Sequence, residues 1–336
     1  MKVNIYDVAL KSGLSVVTVS RVINNSPNVR EYNREKVLQA MRELGYNPSA
    51  AARSLAKGKT GVIGLLIPSL SDTFINSVVK SINKNLMKNG YFLAISLAEH
   101  DDISIEEGSN FLFQEKRVDG ILILTPIYEE KYIIEIKRKN IPFVLMDNQE
   151  SHPSVNSILV DNYNGGYTAT RHLLALGHKK IGYIGAPEIY LSSRERERGF
   201  LDAVKEAELE PYVMERGNFD ISSGYKITKS WIESGRIPTA VFTADDYIAF
   251  GAMDAIREAG LKVPEDISIC GYDDDFLSQG IHPGLTTIRQ PSEEMGLKAV
   301  EVLMQSLEGK QRSQTIKLRP ELIIRQSTAR PREDSL

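Results

Sequence analysis

The chain is nearly without cysteine. Cys270 stands alone, so no internal disulfide can form, which suits a reducing cytosol. Long hydrophobic runs are missing too. Apolar stretches such as Val62–Ile67 and Gly120–Leu124 fall far short of the ~20 residues that a membrane span needs and read as buried strands. Met1-Lys2 opens onto polar residues with no apolar signal core, so the expected location is cytoplasmic, with no membrane contact. The histidines, His100, His152, His172, His178 and His282, are scattered without metal-ligand spacing. Cys270 lies in an apolar run that reads as a buried strand, a place for a small core residue rather than a nucleophile. No Gly-x-Gly-x-x-Gly fingerprint occurs, and no phosphate loop of the Gly-x-x-x-x-Gly-Lys-Ser/Thr type. These absences leave little for an enzyme, a metal or a cofactor.

What is present is an uneven charge. Residues 1–59 hold five Lys and five Arg against one Asp and three Glu, a surplus of six positive charges. The remainder must then carry nine negative charges to reach the overall −3. A small basic head on a large acidic body points to a nucleic-acid-binding end, although short basic segments also arise by chance.

Within the head, Asn4 suits a helix cap and Asp7 the positive first turn, predicting a helix to about Ser12. Gly13 supplies a tight turn, and Ser15 caps a second helix running from Val16 to about Asn24. Ala9, Gly13 and Val19 meet the needs of a helix-turn-helix: a small residue for close approach, a glycine for the turn, a β-branched residue between the helices. A third helix is predicted from Asn33 to Leu44, with Val37, Leu38, Met41 and Leu44 on its apolar face. In such a unit the second helix enters the major groove. Val16 and Val17 there suit thymine methyl groups, and Ser20 and Arg21 follow them, Arg21 being fit for guanine or phosphate. Ser15, Thr18, Asn24 and Arg34 suit backbone positioning. The alternative makes both valines part of the three-helix core; at adjacent helical positions one can be partly buried, but both do not face inward. Pro48 to Gly58 then reads as a short helix, marginal alone and able to form on docking, with Leu55 as a minor-groove wedge or as a plain packing residue.

From Gly61 the chain alternates strand and helix patterns. Strands are predicted at Val62–Ile67, Tyr91–Leu97, Gly120–Leu124 and Phe143–Met146, with helices near Thr73–Lys88, Ile105–Lys116 and Glu129–Lys139. A second set has strands near Lys180–Ile184, Tyr212–Glu215, Ala240–Thr243 and Ser268–Tyr272, with helices near Arg194–Ala207, Ser222–Glu233 and Tyr247–Glu258. Such alternation means α/β architecture, here two doubly wound parallel-sheet subdomains. Ligands of that architecture bind at the carboxyl ends of strands, which places a site in the cleft between the two.

Several segments together carry a resemblance. Asn4-Ile-Tyr-Asp-Val-Ala, Gly13-Leu-Ser-Val-Val-Thr-Val-Ser-Arg-Val-Ile-Asn24, Arg34-Glu-Lys-Val, Leu44-Gly-Tyr-Asn-Pro48 and Ala52-Arg-Ser-Leu55 resemble the head of the LacI/GalR family. Gly61-Val-Ile-Gly64, Val118-Asp-Gly-Ile121, Leu176-Gly-His178, Arg196-Glu-Arg-Gly-Phe200, Ile269-Cys-Gly-Tyr-Asp273 and Leu285-Thr-Thr-Ile288 resemble its body. Each is weak alone; their order and spacing are not. The resemblance implies a helix-turn-helix domain at 1–46, a hinge helix at 47–59, and a periplasmic-binding-protein-like body at 60–330. The body's subdomains are expected at about 60–160 with 289–320 and about 161–288 with 321–330. Strands near Gln314–Leu318 and Leu322–Arg325 would return to complete them. Tyr6 and Ala52 join the DNA-contacting set by position. The tail after Arg330 has no apolar heptads, so no tetramerising coiled coil of the kind some relatives carry is expected.

Polar residues stand just after predicted strands: Asp147, Asp245 and Asp273, with Arg196 near a helix start. Carboxylates accept from paired hydroxyls and arginine donates a planar fork, while Phe74 and Phe219 suit stacking on a ring. Arg196, Asp147, Asp245 and Asp273 match ligand-binding positions of the family, and Phe219 falls where relatives place an aromatic. Bland alternatives exist. Asp245 or Asp246 can cap the helix near Tyr247, Asp273 can cap a turn, and Arg196 can lie on an exposed charged face. The expectation is a homodimeric repressor of a carbohydrate-utilisation operon that binds a pseudopalindromic operator and is released by a sugar in the cleft. The alternatives are a regulator needing a corepressor, either a purine-like molecule or a phosphorylated carrier protein, and a sugar-binding protein without regulatory role.

Overall fold

The computed structural model describes residues 3–24, 26–47, 59–70, 72–97, 117–126, 129–150, 152–310 and 313–332. The chain divides into two units, Met1–Gly61 and Val62–Leu336. The expected hinge helix with Ala52 and Leu55, and the expected helix at 105–116, lie outside the described residues.

The first unit is a three-helix head: α1 (Ile5–Ser12), α2 (Val16–Ile23) and α3 (Glu31–Leu44). Asn4 caps α1 by accepting from the Tyr6 and Asp7 amides, and the Asp7 carboxylate returns the bond to the Asn4 amide at 2.8 Å. Gly13 ends α1 at φ 68°, a left-handed conformation that costs a side-chain-bearing residue more. Ser15 Oγ accepts from the Thr18 amide and starts α2. Val8, Ala9, Val19, Val22, Val37 and Ala40 form the buried core. Two expectations about α3 need correction. It begins at Glu31 rather than Asn33, since no side chain caps it to mark the start. Its inward stripe also includes Ala40, whereas Leu38 is largely exposed. At 100° per residue, Val37, Ala40, Met41 and Leu44 share a face from which Leu38 is turned away.

The second unit carries two six-stranded sheets. The first has the order β11-β5-β4-β3-β1-β2 and is parallel throughout, from β1 (Val62–Ile67), β2 (Phe92–Leu97), β3 (Gly120–Leu124), β4 (Phe143–Met146), β5 (Asn156–Val160) and β11 (Thr315–Leu318). The second has the order β12-β10-β9-β8-β6-β7, from β6 (Ile181–Gly185), β7 (Val213–Arg216), β8 (Ala240–Thr243), β9 (Ser268–Asp273), β10 (Thr286–Arg289) and β12 (Glu321–Ile323). Its edge strand β12 runs antiparallel to β10, so this sheet is not wholly parallel. Helices α4 (Thr73–Lys88) and α5 (Glu129–Arg138) belong to the first sheet, and α6 (Asn162–Ala175), α7 (Leu191–Glu206), α8 (Ile221–Glu233), α9 (Asp246–Glu258) and α10 (Phe276–Gly280) to the second. Helix α11 (Ser292–Leu307) follows β10 yet packs on the first sheet: Met295, Ala299, Val300 and Leu303 join the core of Ile63, Leu65 and Leu122. The Cβ that Gly296 lacks would lie 2.6 Å from Ser81 Cβ, which lets α11 sit close on α4.

The elements predicted from the sequence do not include β5, α6, β10, α10 or α11. Helix α6 holds Gly165-Gly166 in its first half, a pair that reads as loop. The glycines are there for approach. A Cβ on Gly166 would meet the Arg196 carbonyl oxygen at 2.2 Å, and one on Gly199 would meet the Tyr163 carbonyl oxygen at 2.2 Å, so α6 and α7 touch backbone to backbone. Behind them Tyr183, Phe200, Phe242 and Trp231 fill the second core, with Tyr183 and Phe200 stacked at 4.9 Å. Cys270 is fully buried in β9, where desolvation pushes its thiol well above the ordinary range.

Candidate functional site

Two places among the described residues bear chemistry. On the head, α2 turns Val19 and Val22 into the core and leaves the opposite side open. Val16 is half-buried against that core, whereas Val17 is 60% exposed, so the pair divides between packing and surface. Arg21 and Tyr6 are exposed, and Thr18 and Ser20 are half-exposed. Ser15 and Thr18 share a 2.9 Å hydroxyl bond. Asn24 ends α2 and donates to Ser20 Oγ. Arg34 holds the turn before α3, donating to the Ser26 carbonyl at 2.7 Å. Val17, Arg21 and Tyr6 therefore present exposed side chains, while Ser15 and Arg34 also maintain the head's own geometry.

In the second unit a cavity of about 630 Å³ lies between the two sheets, at the carboxyl ends of their strands. Phe74, Asp147, Arg196, Phe219, Asp245 and Asp273 all line it. Asp147 follows β4 at φ 50° and Asp273 ends β9 at φ 113°, both in the left-handed region that few side-chain-bearing residues occupy. Asp147 Oδ2 accepts from Thr125 Oγ1 at 3.4 Å.

Arg196 is the centre of the site. Its helix starts at Leu191, not at Arg194, and Tyr190 gives that start no side-chain cap to read. The surrounding Ser-Arg-Glu-Arg-Glu-Arg run suggests an exposed face, yet Arg196 is only 3% exposed. Nε donates to Asn162 Oδ1 at 3.0 Å and Nη1 to the Ala244 carbonyl at 2.6 Å. The guanidinium lies 3.7 Å from the centre of the Tyr272 ring, and Nη2 sits 3.6 Å from Asp273 Oδ1. A buried cation needs such a set of partners, because desolvation would otherwise exclude it. Asp273 Oδ1 also accepts from Gln290 Nε2 at 2.7 Å, so it does more than cap a turn.

Asp245 caps α9, accepting from the Ile248 amide at 2.7 Å, and lines the cavity as well. Burial pushes its carboxyl up to about 8, against the pull of that amide. Asp246 turns inward to Ser278 Oγ, Thr287 Oγ1 and the Asp275 amide, and burial still raises it to about 7. Burial likewise raises Asp273 well above the usual carboxylate range, with Arg196 opposing.

Residues beyond those marked by sequence complete the site. Thr73 Oγ1 donates to Asp275 Oδ2 at 2.5 Å, and Gln149 Oε1 accepts from the Leu191 amide at 2.6 Å, two bonds that join the first-sheet side to the second. Phe219 meets Tyr190 edge-on at 5.5 Å, and Phe74 both lines the cavity and packs on the first core. An aspartate before an apolar helical pattern signals Asp72, Asp220 and Asp275 as caps. Nothing local signals Asn162, Gln149 or Tyr272.

Comparison with known proteins agrees with this geometry. Residues 4–49 match the bacterial regulatory proteins of the lacI family, and residues 170–328 match a periplasmic binding protein-like domain. The HTH-type transcriptional repressor PurR of Actinobacillus pleuropneumoniae serotype 3 is 36% identical over 329 residues, covering 96% of this chain and 97% of the relative. The crystal structure of the lac repressor dimer bound to operator and the anti-inducer ONPF superimposes with a TM-score of 0.90 at 32% identity, covering 98% of this chain and all of that one. The complex of the transcriptional regulator CelR with cellobiose gives a TM-score of 0.74 at 26% identity over 97% of this chain and 99% of that one. The chain belongs to the lacI family of DNA-binding transcriptional repressors, a helix-turn-helix head joined to a periplasmic-binding-protein-like body.

Proposed function

We propose that a small polar molecule held in the cleft sets this repressor's affinity for its operator, and that the molecule is a purine-like corepressor rather than the inducing sugar expected from sequence. The observation that carries the first part is Arg196: a buried guanidinium that lines the cavity, held by Asn162, the Ala244 carbonyl and the Tyr272 ring, with Nη2 3.6 Å from Asp273 Oδ1. Such a group recognises a ligand acceptor at low reorganisation cost, because its rotamer is already fixed. Aromatic rings reach the cavity from both sides, Phe74 from α4 and Phe219 from the loop before α8. They suit a flat heterocycle, whose edge acceptors meet Arg196 and whose N–H groups meet the carboxylates. The relatives named PurR favour this choice. The CelR–cellobiose neighbour keeps a sugar as the second reading.

The head supplies DNA contact as one half of a homodimer on a pseudopalindromic operator. Val17, Arg21 and Tyr6 read or grip the duplex, and Ser15, Val16, Thr18, Ser20, Asn24 and Arg34 position them; Ala52 and Leu55 join through the hinge. Coupling is reciprocal: a corepressor that tightens operator binding must itself bind more tightly to the operator complex by the same factor.

The test is operator binding on the chain's own upstream region, titrated with purine bases and with a sugar panel. Tightening by a base, abolished by Arg196→Ala, is the expected result. Release by a sugar would favour the second reading. Binding indifferent to every small molecule would remove the cleft as the controlling site.

A further inference from the structure

The amino ends of several helices meet at this cleft. An unoccupied helix start is positive and attracts anions, so a family of clefts built this way is open to phosphorylated ligands on geometric grounds. Here the chain fills those ends with its own groups. Asp72 accepts from the Ile75 amide at the start of α4, Asp220 from the Ser223 amide at the start of α8, and Asp245 from the Ile248 amide at the start of α9. The start of α7 is closed from across the cleft, where Gln149 Oε1 takes the Leu191 amide. All three capping aspartates line the cavity.

The charge balance points the same way. Besides those caps, Asp147, Asp246, Asp273 and Asp275 line the cavity, and Arg196 is the one cation among the described lining residues. Arg196 in turn is already committed to Asn162, the Ala244 carbonyl and the Asp273 side. The cleft thus holds more carboxylates than a single guanidinium balances. Burial, with the neighbouring carboxylates behind it, raises both Asp245 and Asp273, and Asp245, pushed up to about 8, is held largely protonated at neutral pH. A second anion placed among them would meet repulsion at short range in a partly desolvated space. A ligand offering N–H or O–H donors, or a positive charge, meets acceptors.

Resting on the effector reading of this cleft, we propose that the effector carries no phosphate or carboxylate group and is an uncharged or cationic molecule rich in hydrogen-bond donors. The helix-capping aspartates are what enforce that selection. Serine caps a helix nearly as well as aspartate, so Asp72→Ser and Asp220→Ser remove charge while retaining the amide contact.

Calorimetry on the full chain tests this with matched probes: guanine and guanosine against guanosine monophosphate, and glucose and glucosamine against glucose phosphate. A phosphate-bearing probe is expected to bind at least about tenfold more weakly than its unphosphorylated partner. In the Asp72→Ser/Asp220→Ser protein, checked for its melting temperature, that ratio should shrink by about threefold or more. A phosphorylated probe that binds as tightly as its partner, or a ratio unchanged by the double substitution, overturns the proposal. Operator binding recorded with the same probes separates the two ideas. Charge discrimination without any effect on DNA sinks the effector reading and leaves the charge rule standing. Tight binding and DNA control by a phosphorylated probe do the reverse.

Discussion

Replacing Arg196 by methionine removes one buried guanidinium and keeps most of its volume. The side chain makes two charge-assisted hydrogen bonds, to Asn162 Oδ1 at 3.0 Å and the Ala244 carbonyl at 2.6 Å, and lies over the Tyr272 ring. Charge-assisted bonds contribute about 1.5–3 kcal/mol each and a desolvated cation–π contact about 2. The desolvation cost relieved by removing the charge offsets several kcal/mol of that. The variant, however, leaves Asp273 and Asp245 buried without their counter-charge, and breaking a buried pair on one side typically costs about 3–5 kcal/mol. A net loss of roughly 3 kcal/mol at pH 8 follows. For a unit of this size that is a fall of about 6–12 °C in melting temperature.

The loss should depend on pH. A carboxyl raised in the folded state holds its proton more tightly folded than unfolded, so its contribution is full at low pH and is lost as pH rises toward the folded value. Burial pushes Asp245 up to about 8 and raises Asp273 too. At pH 5.5 Asp245 is protonated whether or not Arg196 is present and needs no counter-charge, so the deficit should be smaller there than at pH 8. Trp231, the single tryptophan and fully buried in the second core, reports unfolding of this unit by its fluorescence. A melting shift below about 2 °C at pH 8, or one equal at both pH values, would refute the account of Arg196 as a structural counter-charge.

Asp245→Asn keeps a good helix cap but cannot ionise. Since Asp245 is raised to about 8, the wild-type protein should lose stability as pH climbs from 5 to 8, and the variant should lose less. Equilibrium denaturation at the two pH values decides it, and parallel slopes would contradict the assignment. Gly199→Ala brings a methyl group to within 2.2 Å of the Tyr163 carbonyl and forces α6 from α7, so a loss near the upper end of the ~1–3 kcal/mol overpacking range is expected. An unchanged urea midpoint would show that the two helices do not meet as closely as described. Arg21→Ala should weaken operator binding by about 1–3 kcal/mol if the side chain reads a base, or reduce the salt slope by about one if it grips phosphate. A gel-shift series over salt distinguishes these, and no change in either quantity would remove Arg21 from the interface.

Much of the architecture was legible because its signals are local. Asn4, Ser15, Asp72, Asp220 and Asp245 each stand before a helical pattern and each caps the helix that follows. Buried parallel strands such as β1 and β3 are continuous apolar runs, and their edges coincide with the ends of those runs. The helix-turn-helix follows from Ala9, Gly13 and Val19, residues within one short stretch. Effector chemistry was less legible. Carboxylates, one arginine and two aromatic residues fit either a sugar or a purine by residue type alone, and the PurR relatives rather than any spacing moved the reading.

What only the tertiary structure decided has a common physical cause: it depends on partners far apart along the chain. Helix α6 looks like loop by propensity because its glycines weaken an isolated helix, and it exists because those glycines let α7 approach. Helix α11 packs on the first sheet only after the chain has completed β10 of the second. Arg196 sits among charged neighbours in sequence. Its burial rests on Asn162, the Ala244 carbonyl and Tyr272, each from a different element. The sequence by itself determined the caps, the turns and the inward faces, because those are set within a few residues by backbone sterics and periodicity. The close helix contact, the balance of charge in the cleft and the fixed aim of Arg196 were settled by packing, since desolvation acts on a side chain only when distant segments close around it.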